Sequence, residues 1–371
     1  MSTLRVAACH ASPVFLSARG TTDKALGLIS AAAHNSANLV VFPESFIPAF
    51  PIWSALRSPA ENHALFQRMA TESLSIDSEH IRAIQQSARQ HRVTVSLGFS
   101  EKARSHHGTL WNSNLIIGAD GEVAVHHRKL VATFFEKLTW APGDGFGVRV
   151  AETAHGKIGA LICGENTNPL ARYALMAQGE QVHVSTWPAV WPTRVMREGQ
   201  GEAGTGRNYD NVAANRTRAA AHCFEAKCFG VLCSGFLDQE AIEAVVDGAE
   251  APDVVRSTLM RSPRGATMYL DPTGGLLPGF TMDAATGKKE EKPHLQSEEG
   301  ILYCDMDLAD CIEGKQYHDV VGGYQRLDVF QLNVDRSRRE PARFVEPTQD
   351  HEDSNRRSQS KDKGRSTNTS G

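Results

Sequence analysis

Residues 156–187 restrict the possible folds more than any other part of this chain. Lys157 to Cys163 is a short apolar run of strand length, and Gln181 to Trp187 is another. Between them, Asn168-Pro169 marks a helix start: asparagine caps, and proline suits the first helical position. Leu170 to Gln178 continues that helix, and Gly179 ends it. The same rhythm recurs. Residues 4–10 form a strand, and residues 22–34 show helical spacing, with Ala25, Leu26, Leu28 and Ile29 among the apolar positions and Thr21 or Thr22 as the cap. Leu39 to Phe42 is a strand, residues 79–91 a helix and Val93 to Phe99 a strand. Asn112 to Gly118 and Glu122 to His127 are two strands joined by the Asp120-Gly121 turn. Residues 208–227 are helical, and Phe229 to Cys233 is again a strand. Strands that alternate with helices imply an α/β layered fold. Residues 50–75 and 236–262 break the rhythm and read as insertions carrying short helices.

No internal repeat or linker interrupts residues 1–335, which we expect to form one domain, with 336–371 as a tail. From Glu346 to Gly371 there is no aliphatic or aromatic residue, so that stretch cannot offset its ordering entropy, and disorder is expected from about residue 346. The net charge of −4 gives no general attraction to nucleic acid or to an anionic membrane. No segment is long and apolar enough to span a bilayer. The N-terminus, Met1 to Ala8, reads as a strand rather than a signal peptide, so a cytoplasmic enzyme is expected. Seven cysteines, an odd number in a long chain, argue against a disulfide framework.

Three motifs carry chemistry. Cys163 stands where the apolar run Gly159 to Ile162 breaks. Glu44 ends Val40-Val41-Phe42-Pro43-Glu44, and Lys129 lies in His127-Arg128-Lys129-Leu130. A thiol is mostly protonated at neutral pH, so it needs a nearby base to become a nucleophile. Glu44 can take the proton and later activate water, and Lys129 can stabilise developing negative charge. Glu136, seven residues beyond Lys129, can hold the lysine or share the proton work. Taken singly, each residue has a plainer reading: a buried small hydrophobe, a loop carboxylate, a solvated ammonium. Other signals are set aside. Gly199-Gln200-Gly201-Glu202-Ala203-Gly204 has the letters of a dinucleotide loop but no preceding strand, and it reads as a mobile loop. The adjacent pairs His106-His107 and His126-His127 would point to opposite faces of a strand and chelate metal poorly. Cys223, Cys228 and Cys233 lack zinc-site spacing and read as core residues.

The order and spacing of Val41-Phe42-Pro43-Glu44, His127-Arg128-Lys129-Leu130 and Leu161-Ile162-Cys163-Gly164-Glu165-Asn166 resemble the nitrilase superfamily of carbon–nitrogen hydrolases, and its nitrilase branch above all. Glu136-Lys137-Leu138-Thr139-Trp140, the segment Gly179 to Pro188, and Tyr317 to Asp328 strengthen the likeness, which covers roughly residues 4–335. The resemblance implies a four-layer αββα sandwich. It implies Cys163 as nucleophile, Glu44 as general base, Lys129 as stabiliser of the tetrahedral intermediate and Glu136 as assisting carboxylate. The substrates would be a small-molecule nitrile and water, with no metal or organic cofactor, and the products an acid and ammonia. An amidase of the same superfamily and a silent assembly scaffold are the alternatives. Where the branch often has tryptophan after the nucleophile, this chain has Gly164, which suggests a roomier pocket for bulky or aryl-substituted nitriles. Trp53, Thr133, Phe134, Gly164, Trp187 and Trp191 are the expected substrate-binding residues, by their closeness in sequence to the four catalytic positions. The resemblance also implies a homo-dimer through the helix after the nucleophile, extending to larger homo-oligomers or spirals.

Overall fold

The computed structural model describes residues 3–196, 208–283, 285–340 and 342; the glycine-rich segment 199–204 and the tail from 346 lie outside the described residues. Among the described residues, fourteen strands form two sheets. They are β1 (Leu4–His10), β2 (Leu39–Val41), β3 (Thr94–Lys102), β4 (Leu110–Ile117), β5 (Val123–Arg128), β6 (Ala151–Thr153), β7 (Gly156–Ile162), β8 (Val182–Trp187), β9 (Phe229–Ser234), β10 (Met268–Leu270), β11 (Leu276–Leu277), β12 (Gly279–Met282), β13 (Lys289–Lys292) and β14 (Gly300–Met306). The eight-stranded sheet runs β13-β12-β14-β1-β2-β3-β4-β5, and the six-stranded sheet β11-β10-β9-β8-β7-β6. Only β1, β2 and β3 in the first sheet and β7, β8 and β9 in the second pair in parallel. The principal helices are α1 (Ala18–His34), α2 (His63–Glu72), α3 (Glu79–His91), α4 (Pro169–Met176), α5 (Asn211–Ala226), α6 (Gln239–Val246) and α7 (Pro252–Arg261).

The layers follow from strand alternation. On β1, Val6 and Ala8 point into the space between the sheets, where they join Val41, Ile158, Val182, Val184 and Val231. Ala7 and Cys9 point the other way, onto Ala25 and Ile29 of α1 and Ile81 and Ile84 of α3. On the second sheet, Leu161 packs on Ala171 and Leu175 of α4, and Leu232 on Ala219 and Cys223 of α5. Helices, sheet, sheet and helices give the expected α/β sandwich in four layers. Both faces of the central strands are therefore buried, which explains their continuous apolar runs. Ile158, fully buried between the sheets, would cost roughly 2–5 kcal/mol if cut back to alanine.

Some local expectations are corrected. Helix α1 begins at Ala18, not at residue 22, and its cap is Ser17, whose Oγ accepts from the Gly20 amide at 3.1 Å. Neither expected threonine caps: Thr21 donates its hydroxyl to Val14 O and Thr22 to Ala18 O. Gly20 hides the first turn from an apolar-spacing argument. Strand β3 runs to Lys102, three residues past Phe99. The insertions carry short helices as expected: α2 in the first, α6 and α7 in the second. Cys223, Cys228 and Cys233 are buried core residues. No helix among the described residues is long and apolar enough to cross a membrane. By chain contacts Met1–Ser337 form one compact unit; Arg338–Gly371 form another, of whose described residues none has regular secondary structure.

Candidate active site

Two residues that follow strands of the eight-stranded sheet, one that follows a strand of the six-stranded sheet and one from the connection between the sheets converge. Glu44 lies just beyond β2, in a turn that leaves Ser45 with a left-handed φ of 47°. Strand β3 presses against this turn at Gly98, where an added Cβ would lie 2.1 Å from Pro43 O. Glycine is thus the residue that lets the turn close. Lys129 directly follows β5, and its amide donates to Asn112 O at 2.7 Å. Gly143 supports it from behind: its amide donates to Lys129 O at 2.9 Å. Glu136 sits in a 3₁₀ turn, Phe134–Leu138.

The four side chains are nearly inaccessible: Glu44 is 3% exposed, Lys129 1%, Glu136 0% and Cys163 6%. Lys129 Nζ donates to Glu44 Oε1 at 2.9 Å and to Glu136 Oε2 at 2.6 Å. Asn112 Nδ2 donates to the same Glu44 oxygen at 2.7 Å, and the Thr133 amide to Glu136 Oε2 at 2.9 Å. A carboxylate oxygen of Glu44, one of Glu136 and Cys163 Sγ all lie within 4.8 Å of one another. Glu44 Oε2 and Glu136 Oε1 are buried with no protein hydrogen-bond partner. The same three residues have a metal-ligand composition, but the Lys129 ammonium already supplies the positive charge between the two carboxylates.

Cys163 directly follows β7 and opens the 3₁₀ turn Cys163–Thr167 with φ 49°, a left-handed conformation that costs a non-glycine residue about 1–3 kcal/mol and persists only when neighbours enforce it. Glu165 is one enforcer. Its carboxylate accepts from the Ile162 amide at 2.8 Å, the Leu130 amide at 2.7 Å and His127 Nε2 at 2.9 Å. One buried side chain therefore ties the residue before the nucleophile to the residue after the lysine. Asn166 is another, donating Nδ2 to Cys163 O at 3.0 Å.

Burial raises the Glu44 carboxyl to about 7, with the Lys129 charge opposing the rise. Burial likewise pushes the Cys163 thiol up, Glu44 adding to it and Lys129 pulling the other way. Burial works against the Lys129 ammonium, but Glu136 and Glu44 overcome it, so the lysine stays charged. A protonated thiol beside a carboxylate that titrates near neutrality is an acid–base pair, and the fixed ammonium can meet an anion that forms between them.

A narrow apolar cleft opens beside Glu44, walled by Phe15, Phe46, Phe50, Val190, Phe236 and Leu237. The residues expected to bind substrate are dispersed around this centre. Trp187 is buried and packs with Ile162 and Cys163. Trp191 stacks on Phe135 with centroids 4.2 Å apart, and Phe50 packs edge-on to both. Trp53 lies one layer back, against Phe15. Thr133, Phe134 and Gly164 line a separate groove with Leu130 and Asn168. A Cβ on Gly164 would lie 2.7 Å from Thr133 Oγ1, so the residue points at the Thr133 turn. Sequence proximity did not bring forward the phenylalanines of the cleft, which come from three distant segments. The pattern that could have flagged some of them is Phe46 and Phe50 directly after Glu44.

The sequence model of the carbon–nitrogen hydrolase family matches residues 5–316. An aliphatic nitrilase of Rhodococcus rhodochrous is 33% identical over 343 residues, covering 92% of this chain and 85% of its own. An arylacetonitrilase of Aspergillus oryzae is 34% identical over 336 residues, covering 90% and 91%. Among solved structures, a carbon–nitrogen hydrolase from Helicobacter pylori G27 superposes with a TM-score of 0.62 at 18% identity, over 85% of this chain and 92% of that one. The buried cysteine, lysine and two glutamates thus occur in a chain that, by sequence and by fold alike, belongs to the carbon–nitrogen hydrolase family.

Proposed function

We propose that this chain is a nitrilase that hydrolyses an organic nitrile to its carboxylic acid and ammonia through a covalent intermediate on Cys163. The carrying observation is the clustering of Cys163 Sγ with both carboxylates around one ammonium. Glu44 takes the thiol proton, the thiolate attacks the nitrile carbon, and Glu44 passes that proton to the nitrile nitrogen, giving a neutral thioimidate. Water, deprotonated by Glu44, adds to that carbon. The tetrahedral adduct expels ammonia and leaves a thioester. A second water releases the acid and returns the thiol, so two waters are consumed per nitrile. Lys129 stabilises the charge on the adduct, and Glu136 keeps Lys129 in position.

The phenylalanine-walled cleft favours aryl-substituted or bulky nitriles over small aliphatic ones. An arylacetonitrilase and an aliphatic nitrilase are both close relatives by sequence, so their names do not decide this point. Assembly into a homo-dimer through α4 is supported by Leu170, which that helix leaves 62% exposed. Sedimentation of wild type and Leu170→Asp reads it: an unchanged dimer in the variant would rule out that face.

The deciding experiment is ammonia release from phenylacetonitrile, mandelonitrile, benzonitrile, an aliphatic dinitrile and cyanide, with Cys163→Ala alongside. Thiol-dependent release from nitriles is expected, strongest on the aryl members. Release from the matching amides alone would replace the nitrilase reading with an amidase one.

A further inference from the structure

Beneath the nucleophile turn lies a buried polar chain that the reaction as described does not use. Asn166 Nδ2 donates to two carbonyls, Cys163 O at 3.0 Å and Leu161 O at 3.3 Å. Those contacts fix the orientation of the amide, so its Oδ1 must face the other way. There it lies 2.9 Å from His183 Nε2 and accepts from Ser185 Oγ at 3.0 Å. His183 Nδ1 in turn lies 3.0 Å from Glu180 Oε2, and His222 Nε2 bonds to the other Glu180 oxygen. The two imidazole rings stack with centroids 3.6 Å apart. Asn166, Glu180, His183 and His222 are each at most 1% exposed.

Donor accounting assigns the hydrogens. Both nitrogens of His183 face acceptors, an amide oxygen and a carboxylate, so both must carry hydrogen. Burial works to raise the Glu180 carboxyl, but the two imidazoles that hydrogen-bond its oxygens outweigh burial and lower it, so it is ionised. Burial and the neighbouring His183 push His222 down to about 4. His222 is therefore neutral, donating from Nε2, while its Nδ1 has no protein partner. Cys228 also approaches Glu180 and His222. Both Glu180 oxygens are already bonded, and burial holds the Cys228 thiol protonated, so the group is a closed hydrogen-bond core rather than a cage for an ion. Strand β7 is built to admit it: a Cβ on Gly159 would lie 2.0 Å from Glu180 Oε2.

We propose that Asn166, His183, Glu180 and His222 form a positioning relay for the nucleophile, in which His183 donates from both ring nitrogens and so locks the Asn166 amide that holds the Cys163 carbonyl. None of the four needs to touch substrate. They act by fixing the left-handed turn from which the thiol is presented. The proposal rests on Cys163 being the nucleophile.

Three readouts test it on the full-length protein. In ¹⁵N-histidine NMR of the wild type at pH 8, with His183→Gln used for assignment, His183 should show two ring N–H signals and His222 one. A single N–H on His183 would overturn the relay. In kinetics on phenylacetonitrile, His222→Leu should lower kcat about tenfold or more with KM within twofold, and His222→Gln, which restores a donor to Glu180, should recover most of it. A folded His222→Leu with wild-type kcat would also overturn it. Alkylation of Cys163 by iodoacetamide, followed against pH, should slow in Asn166→Ala and in His222→Leu, and should not slow further when the two are combined. Additive slowing would sever His222 from Asn166 and reject the chain. Turnover by Cys163→Ala would sink the nucleophile assignment alone, since the NMR count does not depend on turnover.

Discussion

Glu44 and Glu136 hold opposite sides of one ammonium, with Lys129 Nζ 2.9 Å from the first and 2.6 Å from the second. They are not equivalent. The bonded oxygen of Glu136 also accepts the Thr133 backbone amide, whereas that of Glu44 accepts the side-chain amide of Asn112. Glu136 is thereby fixed to the backbone, and burial moves Glu44 toward neutrality. The division suits one carboxylate to positioning and the other to proton transfer.

Removing these groups should therefore differ in degree. Glu44→Gln eliminates the base, and we expect kcat to fall by about 10²–10⁴-fold. Lys129→Met removes the ammonium that meets the developing anion, with an expected loss of about 10²–10³-fold. Steady-state ammonia release measures both. Retention of more than a tenth of wild-type kcat by Glu44→Gln would reject it as the base.

The rate should depend on pH through the same carboxylate. Burial, opposed by Lys129, places Glu44 at about 7. Because the ionised form is the competent base, kcat/KM should rise with pH and level off above an apparent value near 7 that belongs to the interacting group as a whole. The stability effect has the opposite sign. The folded-state value lies above the unfolded 4.5, so Glu44 costs stability progressively as pH rises from 4.5 to about 7. A flat kcat/KM between pH 5.5 and 8.5 would contradict the assignment.

Glu101 should matter to stability rather than chemistry. It accepts from Ser113 Oγ, His126 Nε2 and Arg128 Nη2 while almost fully buried. Burial works to raise its carboxyl, but His126 and Arg128 overcome this and hold it at about 2. Glu101→Gln should cost on the order of 3 kcal/mol at pH 7. A depressed carboxylate stabilises above its unfolded value of 4.5 and loses that contribution as pH falls toward 2, so the deficit should shrink at pH 3. Urea unfolding at the two pH values measures it, and an equal deficit at both would refute the charge argument.

Gly98→Ala should impair catalysis without touching a reacting group. Its Cβ would sit 2.1 Å from Pro43 O, so the Glu44 turn must move. Displacing a catalytic group by about 1 Å can cost about 10²-fold. We expect kcat to fall by that order while the thermal midpoint drops modestly. A variant with wild-type kcat would show that the turn tolerates the methyl group.

Much of this architecture could be read before the coordinates were known. The apolar runs ending near Glu44, Lys129 and Cys163 are long enough to be strands, and strands ending in polar residues direct those residues to one edge. The structure brings these three together with Glu136. Other features left little trace. Strand β13 is Lys289-Glu290-Glu291-Lys292, with no apolar residue to mark it, and it is held by pairing to β12. The cleft draws on residues near 11–15, 43–52, 188–190 and 235–241, whose proximity is a product of sheet stacking alone. Glu180, His183 and His222 look like ordinary residues of a strand entrance and a helix. Their chemistry comes from the shared burial site, which local sequence does not encode. Gly98 and Gly143, where an added Cβ would lie 2.1 Å from Pro43 O and 2.4 Å from Arg128 O, carry no signal as catalytic supports, because their importance is the absence of a side chain.

The nucleophile follows a strand of one sheet and its base and cation follow strands of the other, with Glu165 bridging the two. Turnover is thus a gauge of how the sheets register against each other. Mild heat or denaturant that lets one slab slip by a fraction of an ångström should silence the enzyme while circular dichroism still reports every strand and helix intact. Changes that stiffen the seam, even far from Cys163, should extend its working range.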